Sequence, residues 1–140
     1  ITYDDMMTQV ALTYPETYAR DMSGADIKAV LEDVADNLFN ADPFLQSGGD
    51  MVRTGGISYT IDPKATIGKR ISNIRLTKNG KPIEASKKYR VAGWSTVNSV
   101  SPGEPIWDTC EKYLKNIKHI GKLTVDTPDL IGVKGNPGIV

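Results

Sequence analysis

TYARDMSGADIKAVLEDVADNL, residues 17–38, decides the fold. Its first part, Thr17-Tyr18-Ala19-Arg20-Asp21-Met22, alternates in the manner of a strand. Ser23 then stands three residues before Asp26, the spacing of a capping box, and predicts a helix start. Ile27, Val30, Leu31, Val34 and Leu38 follow at i, i+3, i+4, i+7 and i+11, one face of a 3.6-residue repeat. The helix is expected to end between Asn37 and Asn40, ahead of Pro43.

On the N-terminal side, Thr2 and Asp5 repeat the capping spacing and predict a short helix carrying Met6, Met7 and Val10. On the C-terminal side, residues 46–56 hold two glycine pairs, Gly48-Gly49 and Gly55-Gly56, and read as a loop or bulge. Ile57-Ser58-Tyr59-Thr60-Ile61 reads as a half-buried strand, ended by Asp62-Pro63-Lys64. Residues 70–76 give another strand, Asn79-Gly80 marks a hairpin turn, and residues 89–94 give a further strand. Residues 95–103 are polar and loop-like. Glu104-Pro105 suits a helix cap and first turn, with Ile106, Cys110, Tyr113, Leu114 and Ile117 as the apolar stripe and Gly121 as the stop. Hairpin-paired strands interrupted by two longer helices indicate an α+β fold with a mixed β-sheet, not a regular βαβ array. One domain is expected over residues 1–122, followed by an extended arm, 123–140, rich in Pro and Gly.

Composition narrows the function. Lys and Arg number 17, matched by 17 Asp and Glu, so there is no electrostatic case for nucleic acid or an anionic membrane. No apolar run approaches the roughly 20 residues that span a bilayer. Ile1 opens the chain in place of an initiator methionine, and the chain reads as part of a larger protein. A single cysteine, Cys110, allows no internal disulfide, and its place in a helical stripe reads as a packing role.

Hydrolytic metal centres need clustered His, Asp and Glu. This sequence has one histidine, His119, placed where a cation meets a helix C-terminus, and its carboxylates show no ligand-like spacing. No Gly-x-Ser-x-Gly elbow occurs, and Gly48-Gly49-Asp50 lacks the Lys-Ser/Thr ending of a phosphate loop. No catalytic or metal-binding residue is therefore assigned. Substrate binding is the better reading. Trp94 and Trp107 flank the 95–103 loop and offer aromatic faces, although both also suit a core. Arg53 in the Gly-rich loop offers a guanidinium to an anion or to solvent, and Met51 beside it is an adaptable contact or a core filler.

Five segments, in order, resemble the C-terminal domain of the 5′-nucleotidase family. They are Ile1-Thr2-Tyr3-Asp4-Asp5, then Asp21-Met22-Ser23-Gly24-Ala25-Asp26-Ile27-Lys28, then Thr54-Gly55-Gly56-Ile57-Ser58-Tyr59-Thr60-Ile61-Asp62, then Asn79-Gly80-Lys81-Pro82-Ile83, and finally Lys88-Tyr89-Arg90-Val91-Ala92. Within that family the SoxB thiosulfohydrolase branch is the most similar, through Gly48-Gly49-Asp50-Met51-Val52-Arg53, Val91-Ala92-Gly93-Trp94 and Gly132-Val133-Lys134-Gly135-Asn136-Pro137-Gly138. Nucleotidases sandwich the base between two phenylalanines. The corresponding positions fall near Met51 and near Ile106 or Trp107, where this sequence reads Ser101-Pro102-Gly103-Glu104-Pro105-Ile106-Trp107.

The resemblance implies a periplasmic hydrolase of sulfur oxidation that releases sulfate from a cysteine adduct on a SoxYZ-type carrier. It implies two manganese ions in an N-terminal metallophosphoesterase-like domain, with the present chain on the substrate side and holding no cofactor itself. Met51, Arg53, Trp94 and Trp107 are then expected to face that domain. The rival readings are a nucleotide-binding domain of a periplasmic 5′-nucleotidase and a stand-alone binding module with no catalytic partner.

Overall fold

A computed structural model describes residues 1–94, 103–121 and 126–133. The order is helix α1 (Tyr3–Val10), strand β1 (Thr17–Ser23), helix α2 (Gly24–Phe39), a 3-10 turn (Pro43–Leu45), strands β2 (Ile57–Ile61), β3 (Ile71–Leu76) and β4 (Lys88–Trp94), helix α3 (Ile106–Asn116) and strand β5 (Asp129–Leu130). Among the described residues the strands make two sheets, β1-β4 and β3-β2-β5. The second is mixed, with β2 antiparallel to β3 and parallel to β5, as the α+β expectation requires. None of these helices is long and apolar enough to cross a membrane.

Both predicted capping boxes form. Thr2 and Ser23 accept from the backbone N–H of Asp5 and Asp26, and each aspartate returns a bond to the cap backbone. These local bonds satisfy donors that a helix start otherwise leaves orphaned. For Asp5 they also hold the carboxyl below its usual value. The Asn79-Gly80 hairpin closes as well. Leu76 receives Gly80 N–H at 2.8 Å and donates to Lys81 at 2.9 Å, with Gly80 at φ +67°.

The chain groups into two compact units. The first comprises Ile1–Met22 and Tyr89–Leu123, and the second Ser23–Lys88 and Thr124–Val140. In the second, Leu31 and Ala35 of α2 pack with Tyr59, Ile61 and Ile71, backed by Ile27, Met51, Ile57, Ile74 and Leu130. Between Ser58 and Thr60 the β2–β3 register slips by one residue, and Asn73 opposite takes a left-handed φ of 53°. That bulge breaks alternation in β3, where Ser72 and Asn73 are both exposed, while Tyr59, Thr60 and Ile61 of β2 are all buried.

Four expectations change. The buried face of α2 runs through Gly24, Leu31, Glu32 and Ala35, while Val30 is 42% exposed. The helix is turned because the Glu32 carboxylate has partners inside, described below. Helix α3 stops at Asn116, with Ile117 extended at φ −88°, ψ 133°, five residues before Gly121. Its cap is Pro105, which makes no side-chain bond, and Glu104 reaches forward to Thr109 instead. Tyr113, placed in the stripe by spacing, is 64% exposed. Within the C-terminal segment, Asp129 and Leu130 extend the β2 edge and Ile131 N–H bonds to Ile61 at 2.9 Å.

Candidate functional site

The first unit holds Trp94 and Trp107. In β4 exposure alternates residue by residue, and Trp94 shares the outward face with Arg90 and Ala92, half-exposed at 51%. Tyr18 of β1 packs so closely on Gly93 that a Cβ there would meet the phenol oxygen at 2.5 Å. Arg20 lies over the Tyr18 ring at 5.2 Å, and Arg90 bonds Asp21 at 3.2 Å. Trp107 is half-buried in the first turn of α3.

The start of α3 is fixed by its neighbour strand. Thr17 donates to the Glu104 carbonyl through its N–H at 3.0 Å and its hydroxyl at 2.7 Å, and Ile106 N–H donates to Pro15 at 2.8 Å. A Cβ on Gly103 would collide with the Thr17 carbonyl, so glycine is required there. The Glu104 carboxylate accepts from Lys112 and from the Thr109 hydroxyl. Lys112, foremost, holds the Glu104 carboxyl below its usual range, and Glu104 raises the Lys112 ammonium in return.

Met51 and Arg53 lie in the second unit. Met51 is half-buried against the core cluster, so its side chain fills space there, and Arg53 is exposed. The structure thus divides the four predicted residues between the units, two in each. The polar loop expected between Trp94 and Glu104 falls largely on residues 95–102, outside the described residues.

The same unit contains a polar network that the sequence reading missed. Glu32, 4% exposed, accepts from the N–H groups of Gly68 at 2.8 Å, Arg70 at 3.2 Å and Ile71 at 2.8 Å. Lys28 lies 3.9 Å from this carboxylate and donates to the Gly68 carbonyl at 3.0 Å. Arg70, 4% exposed, pairs with Asp36 and donates to the Phe39 carbonyl at 3.1 Å. Arg70 first, then Asn40, holds the Asp36 carboxyl below its usual value. Burial pushes the Tyr59 phenol the other way, upwards. Spacing gave no clue to this network, because Glu32 lies about 100° round the helix from Leu31, off the stripe assigned to apolar residues.

Clefts among the described residues are open to solvent. One of about 480 Å³ in the first unit brings Tyr3, Met6 and Leu114 together with Lys115, Lys118 and His119. Beside it, one of about 500 Å³ reaches Cys110 and Tyr113. Another, about 760 Å³, lies in the second unit between Ala25 and Lys28 of α2 and Ile67, Ile74 and Ile83. None of the four predicted residues lines any of them. Among the described residues no three His, Cys, Asp or Glu side chains converge as ligands, so these residues do not fit a manganese pair.

Comparison with known proteins agrees with this architecture. The family described as 5′-nucleotidase, C-terminal domain, matches residues 1–103. The sulfate thiohydrolase SoxB of Thermus thermophilus, solved in complex with glycerol, is 34% identical with a TM-score of 0.79, and the match covers 95% of this chain and 26% of that one. A 5′-nucleotidase precursor, also from Thermus thermophilus, shares the fold at 15% identity and TM-score 0.65, over 95% of this chain and 28% of that one. The NAD nucleotidase of Haemophilus influenzae does so at 18% identity and TM-score 0.65, over 93% and 26%. This chain therefore spans about a quarter of the length of the solved chains it matches. No curated protein sequence matches it. The fold, the matched span and the shared motifs lead to one assignment: the chain belongs to the 5′-nucleotidase C-terminal domain family.

Proposed function

We propose that this chain is the substrate-side domain of a SoxB-type hydrolase, which releases sulfate from a cysteine S-thiosulfonate on a SoxYZ-type carrier in the periplasm. The observation that carries the reading is the 34% identity with SoxB over 95% of the chain, about twice the identity with either nucleotidase described above. In this reading two manganese ions belong to a separate N-terminal metallophosphoesterase-like domain. The present residues supply grip. Arg53 offers a planar guanidinium, the geometry that meets a sulfonate through two parallel N–H bonds. Trp94 and Trp107 offer rigid apolar faces for the carrier arm. Closing such a surface over a substrate aligns it and excludes water.

A second reading, a nucleotide-binding domain of a 5′-nucleotidase, is favoured by the family match over residues 1–103. Two measurements on the full-length enzyme separate them. Trp107→Ala should lower sulfate release or carrier binding by roughly tenfold if the ring grips substrate. Titration with adenosine should leave tryptophan fluorescence unchanged. Quenching by the nucleoside, with sulfate release intact in Trp107→Ala, would transfer the assignment to the nucleotidase reading.

A further inference from the structure

The segment that carries Arg53 is pinned at both ends. Upstream, Gly48 N–H donates to the Asn37 carbonyl at 3.1 Å, and Gln46 Nε2 donates to the Asn40 carbonyl at 2.6 Å. Downstream, Gly56 N–H donates to the Asp126 carboxylate at 3.2 Å and its carbonyl receives Thr77 N–H at 3.1 Å. Between these pins Met51 packs on the core cluster and Arg53 is exposed. Gly48 and Gly49 stand at φ +78° and +96° with open space where a Cβ would be, so it is backbone conformation, not crowding, that calls for glycine there.

The upstream pins are carbonyls of the last turn of α2 and its cap, groups that a helix end leaves without intrahelical donors. Their position depends on Arg70 at the entry to β3. One end of its guanidinium meets Asp36 and another meets the Phe39 carbonyl at 3.1 Å. Asp36 in turn receives Asn40 Nδ2 at 2.8 Å, and Asn40 Oδ1 receives Asp42 N–H at 2.9 Å. Hydrogen bonds thus run without a break from β3, through the end of α2, to Gln46. Burying a guanidinium is costly, and fastening a helix to a strand does not require it. Arg70 keeps that position with its Nε buried and unpartnered.

We infer that Arg70 and Asp36 are a positioning pair for the Arg53 segment. They fix the α2 terminus whose carbonyls hold Gln46 and Gly48, and so set where Arg53 meets an anionic substrate group. The functional half rests on the reading above, in which Arg53 contacts the sulfonate.

The test uses the full-length enzyme with Asp36→Ala and Arg70→Met combined, which removes both charges and leaves no buried guanidinium unpaired. Amide hydrogen exchange at residues 46–50 should quicken by about tenfold while Ile61 and Ile71 keep their protection. KM should rise about tenfold with kcat within about twofold, as expected when a grip common to ground and transition state is loosened. Asp36→Asn, which retains an oxygen for Arg70, should restore most of the loop protection. Unchanged exchange at residues 46–50 in the double variant overturns the inference, whatever KM does. Faster exchange with KM unchanged there and in Arg53→Ala instead removes Arg53 from the substrate, and with it the functional half.

Discussion

The two units are held together by different means. In the second, an apolar cluster closes around Ile71, which is 0% exposed, and two charged side chains, Glu32 and Arg70, are buried beside it. In the first, Met6, 6% exposed, is the one buried side chain among the described residues. Its order comes instead from a capping box, the Thr17–Glu104 and Ile106–Pro15 bonds, and ion pairs such as Lys112–Glu104 on the surface. Hydrophobic burial scales with area, whereas exposed ion pairs contribute little. Substitutions in the core of the second unit should therefore be read mainly as stability, and those on outer faces, Arg53 in the second unit and Trp94 in the first, mainly as function.

The strongest attempt to break that contrast is Glu32→Ala. It strips three backbone N–H groups of their acceptor, two of them in buried residues. The expected loss is about 3–5 kcal/mol in urea denaturation, from unsatisfied donors and a broken buried network. A loss below about 1 kcal/mol would mean that water replaces the carboxylate, and the second unit would no longer stand apart. Next, Ile71→Ala should cost about 2–5 kcal/mol through lost burial and a residual cavity. Its counterpart in the first unit, Tyr113→Ala on a 64% exposed side chain, should stay within about 0.5 kcal/mol.

Glycine replacements sharpen the contrast further. A Cβ on Gly24 would run into the Glu84 carbonyl, and one on Gly103 into that of Thr17. Both are backbone collisions, so Gly24→Ala and Gly103→Ala should each cost about 1–3 kcal/mol. Equal losses would show that the first unit is as rigid where its strand meets the start of α3 as the second is at its helix start. A thermal melt of each variant measures this.

The smallest effect concerns pH. Asp36 and Glu104 both titrate below the ordinary carboxylate range when folded, Asp36 beside Arg70 and Glu104 beside Lys112. A depressed carboxyl contributes stability above its unfolded pKa and loses it as pH falls through the folded one. Mild acid below about pH 4 should weaken both contacts. Lys112 runs the opposite way: its raised pKa holds stability below the ordinary lysine range and gives it up as pH climbs past the folded value. Following the melting midpoint of wild type and Glu104→Gln from about pH 3 to pH 7 should show a shallower acid slope in the variant.

How much of this was written in the sequence follows the range of the forces. Capping boxes at Thr2 and Ser23, the Gly80 turn and the strands at 57–61 and 71–76 depend on neighbours a few residues away, and spacing revealed them. The exposure of Val30 and the burial of Glu32 depend on backbone donors 36 to 39 residues distant, which periodicity does not see. Strand β5 is two residues long and pairs in parallel with a strand far upstream, so no local pattern marked it. At the candidate site, composition identified residue types able to grip an anion or an apolar arm. It could not tell that Met51 leans on the core while Trp94 faces outward.

The parallel pairing of β5 with β2 has a consequence for synthesis. The Ile61 edge has to wait for residues 129–131, which leave the ribosome after the whole first unit has been made. Until then the most apolar strand of the second unit carries an open side, a template for strands of other nascent chains. The arrival of Asp129–Ile131 is then the step that ends this exposure.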